Sequence, residues 1–489
     1  MRIPSRTAMS RRAAEYLAGA LTLGVAVVAC ATVAYATETL TLKTAISMPN
    51  GGKITSFDIS AVDTTTGYYT LGDRTNKAVE VISTSTNTVV LQAGLGLFKG
   101  ATGNNNTSGP DGQMIVNSRE IWAGDGDSTL KILSLSTGGL LATISTGGAF
   151  RVDEMCFDPV HNIGFVANNA DTPPFITAVS YRRHSILGKI NFDGTVQNGG
   201  GIGVNATDGI EQCQFNPRDG NIYVSVPEVS GPGDNSAPGA IARINPVTMQ
   251  ILAAPLIPLA ACSGPQGLAI GPVVGSFGEM LAGCNGANTN AAANRPTALV
   301  DDGTAGGTFG ASVSLSWQAG NDMVYYNAGD NHYYLARSGN NSVVNPNVMT
   351  DGFRPHCPAV PGASLPNGQY GGDIYKTANV QGEAYAAAGS QTFAGPQALG
   401  MINATTLEND PDTIIGLANC AATDFGAGGQ ANPHGTNHSV AADATHNQIY
   451  VPIASTAFTG QTVPGVCAAG GGVDATGCIA VYGIVGTDP

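Results

Sequence analysis

The sequence predicts an all-β fold, a closed ring of seven four-stranded sheets. Three observations carry that prediction: a recurring hairpin frame, two further strands after each copy, and chain ends that complement one another. The frame is plainest in "FNPRDGNIYVSV" (215–226). Asn216 opens a turn, Pro217 supplies a fixed φ, Gly220 leaves the turn, and Ile222, Tyr223 and Val224 are strand formers. The frame recurs as "VDTTTGYYTLGD" from Val62, "FDPVHNIGFVAN" from Phe157, "YNAGDNHYYLAR" from Tyr326 and "ADATHNQIYVPI" from Ala442. Two degenerate copies, "VNSREIWAGDG" from Val116 and "IGPVVGSFGEMLAGC" from Ile270, bring the hairpins to seven.

The strands that follow each hairpin make the repeat a sheet of four. "AVEVIST" and "TVVLQ" follow the first hairpin, "TLKILSL" and "LLATIST" the second, "AIARINP" and "MQILAA" the fourth. Four short antiparallel strands per repeat describe the blade of a seven-bladed β-propeller, in which radial repetition leaves only short, protected edges. The strands are named A to D from the axis outward. "ETLTLKTAIS" (38–47) has the character of a D strand with no blade before it, and "CIAVYGIV" (478–485) is a C strand with no D after it. The N-terminal strand is therefore expected to close the last blade. The interval between the hairpins at 326 and 442 is twice the usual one. It predicts an insertion at 338–396 in the sixth blade, with an eighth blade using "EAYAAAG" and "ALGMINA" as the alternative.

Residues 1–36 differ from the rest. Arg2, Arg6, Arg11 and Arg12 lead into the apolar run "LAGALTLGVAVVA", and Ala34, Tyr35 and Ala36 offer a small-residue cleavage site. This segment is read as an export signal and 37–489 as the propeller, secreted or periplasmic. "VVAC" ending at Cys30 resembles a bacterial lipobox, so lipid anchoring through Cys30 is the alternative, and Ser10, Arg11 and Arg12 loosely resemble a twin-arginine signal. The apolar run is too short to span a membrane well, and no transmembrane segment is expected. Without its first 36 residues the chain keeps 17 basic and 34 acidic residues, a formal charge of −17. With no Lys/Arg cluster, such a surface repels phosphate backbones, which excludes nucleic acid and leaves cations and basic partners open. Charged residues are only 11% and Gly is 66 of 489, which excludes charge-driven disorder and suits short strands joined by tight turns. Of nine cysteines, eight lie beyond Cys30, an even number that favours disulfides in an exported protein.

Through "NIYVSV", "NQIYVPI" and "GFVANN", with their third strands, the chain resembles the secreted seven-bladed bacterial propellers grouped as YVTN-type repeat proteins, over most of 38–489. The resemblance implies the fold and a surface or binding role, and nothing narrower, since propellers host unrelated chemistries. The departures from regularity are the B to C connections, 169–184, 227–239, 285–296, 338–396 and 454–476, whereas the A to B turns stay short. In a propeller the B to C and D to A connections share one face. That loop-rich face is the expected functional one. On it Cys262 with Cys284, Cys357 with Cys420, and Cys467 with Cys478 would each staple a connection. Cys156 and Cys213, on neighbouring A strands, are either paired or simply buried.

The repeats can be aligned on the residue that opens each turn: Asp63, Val116, Asp158, Asn216, Gly271, Asn327 and Asp443. Counting back five residues gives Asp58, Asp111, Asp153, Glu211, Gln266, Asp322 and His438. Five residues of strand span about 17 Å, so these seven polar residues are expected as a ring at the channel mouth on the loop face. Carboxylates about 4 Å apart repel by about 4 kcal/mol at an effective dielectric of about 20, and a cation would relieve that. Asp, Glu and Gln oxygens suit Ca²⁺ or another divalent cation, and His438 would bias the site toward a transition metal. The competing reading is a solvated channel whose far sides cannot share one ion. In placement only, the ring resembles the central Ca²⁺ site of gluconolactonase-like and phosphotriesterase-like propellers, whose local motifs this sequence lacks.

The remaining signals are weaker. His161, His332 and His446 fall in tight turns, as surface residues; His184, His356, His434 and His438 fall on the loop face. "GDGDS" (124–128) reads as an ordinary turn and "YRRH" (181–184) as a solvated loop. No G-x-S-x-G, P-loop, H-E-x-x-H or C-x-x-C motif occurs. Two function classes result. The first is an exported, monomeric binding or scaffold protein that meets a protein or a small polar ligand through its loop face. The alternative is a divalent-metal-dependent hydrolase of the lactonase or phosphotriesterase type, with His438 or Asp322 carrying the proton. No nucleophile with an adjacent base is apparent, which favours the first and leaves catalytic residues unassigned.

Overall fold

The structure is a computed structural model that describes residues 39–252, 257–259, 262, 264–284, 297–315, 321–337, 398–407, 409–414, 438–454, 467 and 476–485. These form seven antiparallel sheets. Blade 1 is Ser60–Asp63, Tyr68–Asp73, Ala78–Ser83 and Thr88–Ala93; blade 2 is Gln113–Val116, Glu120–Asp125, Thr129–Ser134 and Leu140–Ser145. Blade 3 is Met155–Asp158, Ile163–Asn168, Phe175–Ser180 and Ser185–Asn191. Blade 4 is Cys213–Asn216, Asn221–Val226 and Gly239–Asn245, with an outer edge in two pieces, Gln250–Ile251 and Ile257–Leu259. Blade 5 is Pro265–Val274, Phe277–Cys284, Thr297–Asp301 and Ser312–Leu315; blade 6 is Asn321–Asn327, His332–Arg337, Ala398–Asn403 and Asn409–Ile414.

Blade 7 takes Ala441–Asp443, Gln448–Ile453 and Cys478–Val485 from the C-terminal end and Thr39–Ile46 from the N-terminal end. Leu40 pairs with Ile484 and Ile46 with Ile479, so the first described strand closes the ring. The eighth-blade alternative fails on "ALGMIN", which is strand C of blade 6 and pairs with His332–Arg337. "EAYAAAG", the insertion at 338–396, the leader 1–36, Cys357, Cys420, His356 and His434 lie outside the described residues.

Burial follows the radial order. Strand B of blade 3, Ile163–Asn168, is buried at every position because both of its faces meet a neighbouring blade, whereas outer strands such as Leu140–Ser145 are largely exposed. The apolar core divides into seven clusters, one at each blade interface. Val81 and Ile121 join blades 1 and 2; Trp122 and Val166 join 2 and 3; Phe165 and Val224 join 3 and 4. Tyr223 and Met280 join 4 and 5; Leu281 and Tyr333 join 5 and 6; Tyr334 and Tyr482 join 6 and 7; Tyr450 and Tyr69 join 7 and 1. A ring closed by seven similar interfaces has no free face on which an open array could grow.

The turn-opening residues do what their chemistry dictates. The side chains of Asp63, Asp158, Asn216, Asn327 and Asp443 each accept a backbone N–H two residues on, at 2.8 to 3.2 Å. Blade 5 departs, and packing explains it: a Cβ at Gly271 would lie 1.5 Å from the Tyr333 hydroxyl, and its A strand runs on to Val274. The expected long connection 169–184 is shorter, because Phe175–Ser180 is already strand C. Tyr181 and His184 therefore belong to the C to D turn on the opposite face, where His184 Nε2 lies 3.0 Å from Glu120 Oε1. His332 is also corrected: it starts a strand, is 1% exposed, and its Nδ1 lies 2.7 Å from the Asp330 carbonyl oxygen. Disulfides join Cys156 to Cys213, Cys262 to Cys284 and Cys467 to Cys478. The first of these locks the A strands of blades 3 and 4 together.

Candidate functional site

The ring residues stand where each D to A connection enters the channel. Asp58, Asp111, Asp153 and Glu211 each donate their backbone N–H to the end of strand B in their own blade, at Gly72, Gly124, Ala167 and Ser225, over 2.8 to 3.1 Å. One repeated bond sets four side chains at the same height. Gly112 lets the next blade close in, since a Cβ there would lie 1.9 Å from the Asp153 carbonyl oxygen. Gln266 and Asp322 lie near the start of their A strands, and His438 three residues before its own.

Three cations stand among the carboxyl groups. Arg74, just after strand B of blade 1, donates from Nη2 to Asp58 Oδ2 at 2.5 Å and from Nε to Asp111 Oδ1 at 2.9 Å. Arg151, in the connection from blade 2 to blade 3, donates from Nη2 to Asp153 Oδ2 at 2.6 Å. Its Nη1 approaches Asp58 Oδ2 at 3.7 Å, beyond hydrogen-bond distance. His438 spans the ends of the chain, with Nε2 2.6 Å from Asp58 Oδ1 and Nδ1 2.6 Å from Asp322 Oδ2. Asn169 donates to Glu211 Oε1 at 3.5 Å.

The titration of these groups follows from their setting. Burial alone would raise the Asp58 carboxyl, but Arg74, Arg151 and His438 together hold it well below the usual carboxylate range. Burial alone would lower His438, yet Asp322 and Asp58 hold it well above 6.5, so it is an imidazolium at neutral pH. Burial and the neighbouring acids push Glu154 and Glu211 well above the ordinary value for glutamate, and burial pushes Asp153 up to about 6. Asp111, sharing Arg74 with Asp58, is raised by burial despite that guanidinium.

Beside the ring a cleft of about 630 Å³ opens between blades 3 and 4. Arg151, Glu211 and Gln266 belong to both ring and cleft, and Asn106, Asn205, Thr207, Asp171 and Asp208 line the walls. The walls are held from behind. Asp171 accepts the backbone N–H groups of Ala149 and Phe150 at 2.7 and 3.3 Å. Buried Glu228 accepts from Thr207 Oγ1 at 2.7 Å and from the Ala237 N–H at 3.0 Å, which shapes the connection between strands B and C of blade 4.

No protein-family model matches the chain, and no curated protein matches it. Among solved structures 1399 chains match, so the architecture is common and by itself assigns no role. One, the crystal structure of RRP9 WD40 repeats, covers 92% of this chain and 100% of its own at 7% identity, with a TM-score of 0.52. The likeness is one of fold.

A divalent cation in the ring would compete with its ion pairs for the carboxylate oxygens. Asp58, Asp111 and Asp153 are engaged by guanidinium groups, and among the described residues no three His, Cys, Asp or Glu side chains converge as ligands. A cation shared by these three carboxylates would have to displace an arginine. Of the seven expected positions, Asp58, Asp111, Asp153, Asp322 and His438 meet in one ion-pair network and Glu211 and Gln266 line the cleft, whereas Arg74, Arg151 and Glu154 were not expected there. The signal was present in "GDR", directly after a B strand, and in "RVDE", which puts Arg151 two residues before Asp153.

Proposed function

We propose that this chain is an exported binding or scaffold protein that engages its partner through the loop-bearing face, centred on the channel mouth. The asymmetry between the two faces carries the reading. One face is closed by short turns capped by Asp and Asn side chains. The other carries the longer connections, the charged ring and the cleft, the arrangement in which a rigid scaffold displays binding residues on loops. Three disulfides support an oxidising, extracytoplasmic location. Among the described residues no helix is long and apolar enough to cross a membrane. The leader-like first 36 residues and the YVTN-type hairpins support a periplasmic or secreted chain, with a lipid on Cys30 as the alternative anchorage. For the hydrolase alternative, no group of three His, Cys, Asp or Glu ligands converges among the described residues.

The test compares two bulky substitutions at exposed positions. Ala149→Trp lies at the edge of the cleft, and Val160→Trp, at a residue 67% exposed, lies in a turn of the opposite face. Partner capture from the exported fraction should be lost in the first variant and retained in the second. Equal capture by both, or loss only with Val160→Trp, would overturn the assignment.

A further inference from the structure

The salt bridges at the channel mouth leave specific atoms unmatched. Arg151 is 7% exposed; its Nη2 is bonded to Asp153 and its Nε reaches Asn169 at 3.4 Å, while Nη1 has no hydrogen-bond partner. On the same ion pair Asp153 Oδ1 is also without a partner, and across Arg74 so is Asp111 Oδ2. Buried polar atoms are rarely left so, because desolvation is then uncompensated. Of these three residues Arg151 alone lines the neighbouring cleft, so its Nη1 is an unmatched donor there.

The cleft that Arg151 lines narrows the chemistry. It offers amides from Asn106 and Asn205, together with the carboxyl groups of Asp171, Asp193, Asp208 and Glu211. A cationic ligand would meet the carboxylates but oppose Arg151 and leave its Nη1 unmatched. An anion would meet Arg151 and face the acidic walls. A hydroxyl accepts and donates through one oxygen, so a set of vicinal hydroxyls uses both kinds of partner. A volume of about 630 Å³ is in the range of small-ligand sites.

We infer that this cleft binds a neutral polyhydroxylated ligand, a saccharide or polyol, with one hydroxyl accepting from Arg151 and others on Glu211, Asp208 and Asn205. The inference rests on the loop-bearing face being the binding face, and it names a ligand class for the cleft.

Ligand-observed NMR and calorimetry on the mature protein test it. The probes are neutral mono- and disaccharides and their alditols, set against glucosamine, glucuronate and a lysine-rich peptide. At least one neutral probe should bind saturably with millimolar affinity or tighter. An Asn205→Ala/Asp208→Ala variant with an unchanged melting temperature should lose about tenfold or more in affinity. Absence of saturable binding by every neutral probe, binding by the charged probes alone, or unchanged affinity in the variant would overturn it. A chain that loses partner capture with Ala149→Trp yet binds no neutral probe would overturn this inference while leaving the loop-face assignment in place.

Discussion

His438 is where residue-scale chemistry and chain closure meet. Its imidazolium holds Asp58 of blade 1 and Asp322 of blade 6 while belonging to blade 7 itself. Because its value in the folded protein lies well above 6.5, the stability it contributes is fully present below about pH 6.5 and is lost as pH rises through the higher folded value. His438→Gln should therefore destabilise the protein by about 2 kcal/mol in mildly acidic buffer, the scale of hydrogen bonds to charged groups. The deficit should shrink in alkaline buffer, and chemical denaturation at several pH values reads it directly. A deficit that grew with pH would mean that the imidazole is neutral in the folded state. The ring positions were legible in the sequence because each lies within three residues of the start of an A strand, so a fixed count from the turn-opening residue reaches them. Arg74 and Arg151 escaped that count because they come from connections outside the A strands and reach acids across blades.

At the scale of the element, blades 1 and 2 answer one structural position in opposite ways. In blade 2 Asp125 ends strand B and pairs with Lys131 of strand C. In blade 1 the corresponding residues are Asp73 and Glu80, two buried acids side by side, with Gln92 donating to Glu80 at 2.8 Å. Burial, then the charge of Asp73, pushes Glu80 up to about 8, and burial pushes Asp73 up to about 6. Raised carboxyl values mean stability that is full in acid, where both groups are protonated folded or unfolded, and that falls as pH rises through about 6 and then about 8. Glu80→Gln should melt like the parent near pH 4 and be more stable near pH 8, by on the order of 2–4 kcal/mol. A parallel fall of both proteins between these values would refute the pair. The strand itself was legible from "AVEVIST"; that Glu80 lies against another acid was not, because pairing register, not strand propensity, sets what faces what.

For the whole molecule, stability rests on seven interfaces closed by one strand, with covalent links added. The Cys156–Cys213 bond spans 57 residues and two blades. On chain-entropy grounds a loop of that size is worth about 4 kcal/mol, through restriction of the unfolded chain. A Cys156→Ala/Cys213→Ala variant should unfold at a lower denaturant midpoint by roughly that free energy while keeping the seven-bladed fold. An unchanged midpoint would show that the neighbouring A strands are already held by packing alone.

The sequence by itself determined the repeat, the number of blades, the closing strand, two of the three disulfides among the described residues and the common height of Asp58, Asp111, Asp153 and Glu211. All of these depend on local rules: turn chemistry at fixed offsets, short β-rich runs, and a constant rise along a strand. Tertiary structure decided the rest. Ser60 and Ser439, 379 residues apart, share a hydrogen bond at 2.7 Å, and near them His438 meets Asp58, contacts that no local pattern encodes. The same holds for the cleft, which exists only because the connections of blades 3 and 4 converge on Arg151 and Glu211. Charge pairing in the channel follows from which blades are neighbours, and closing the ring makes the last blade a neighbour of the first.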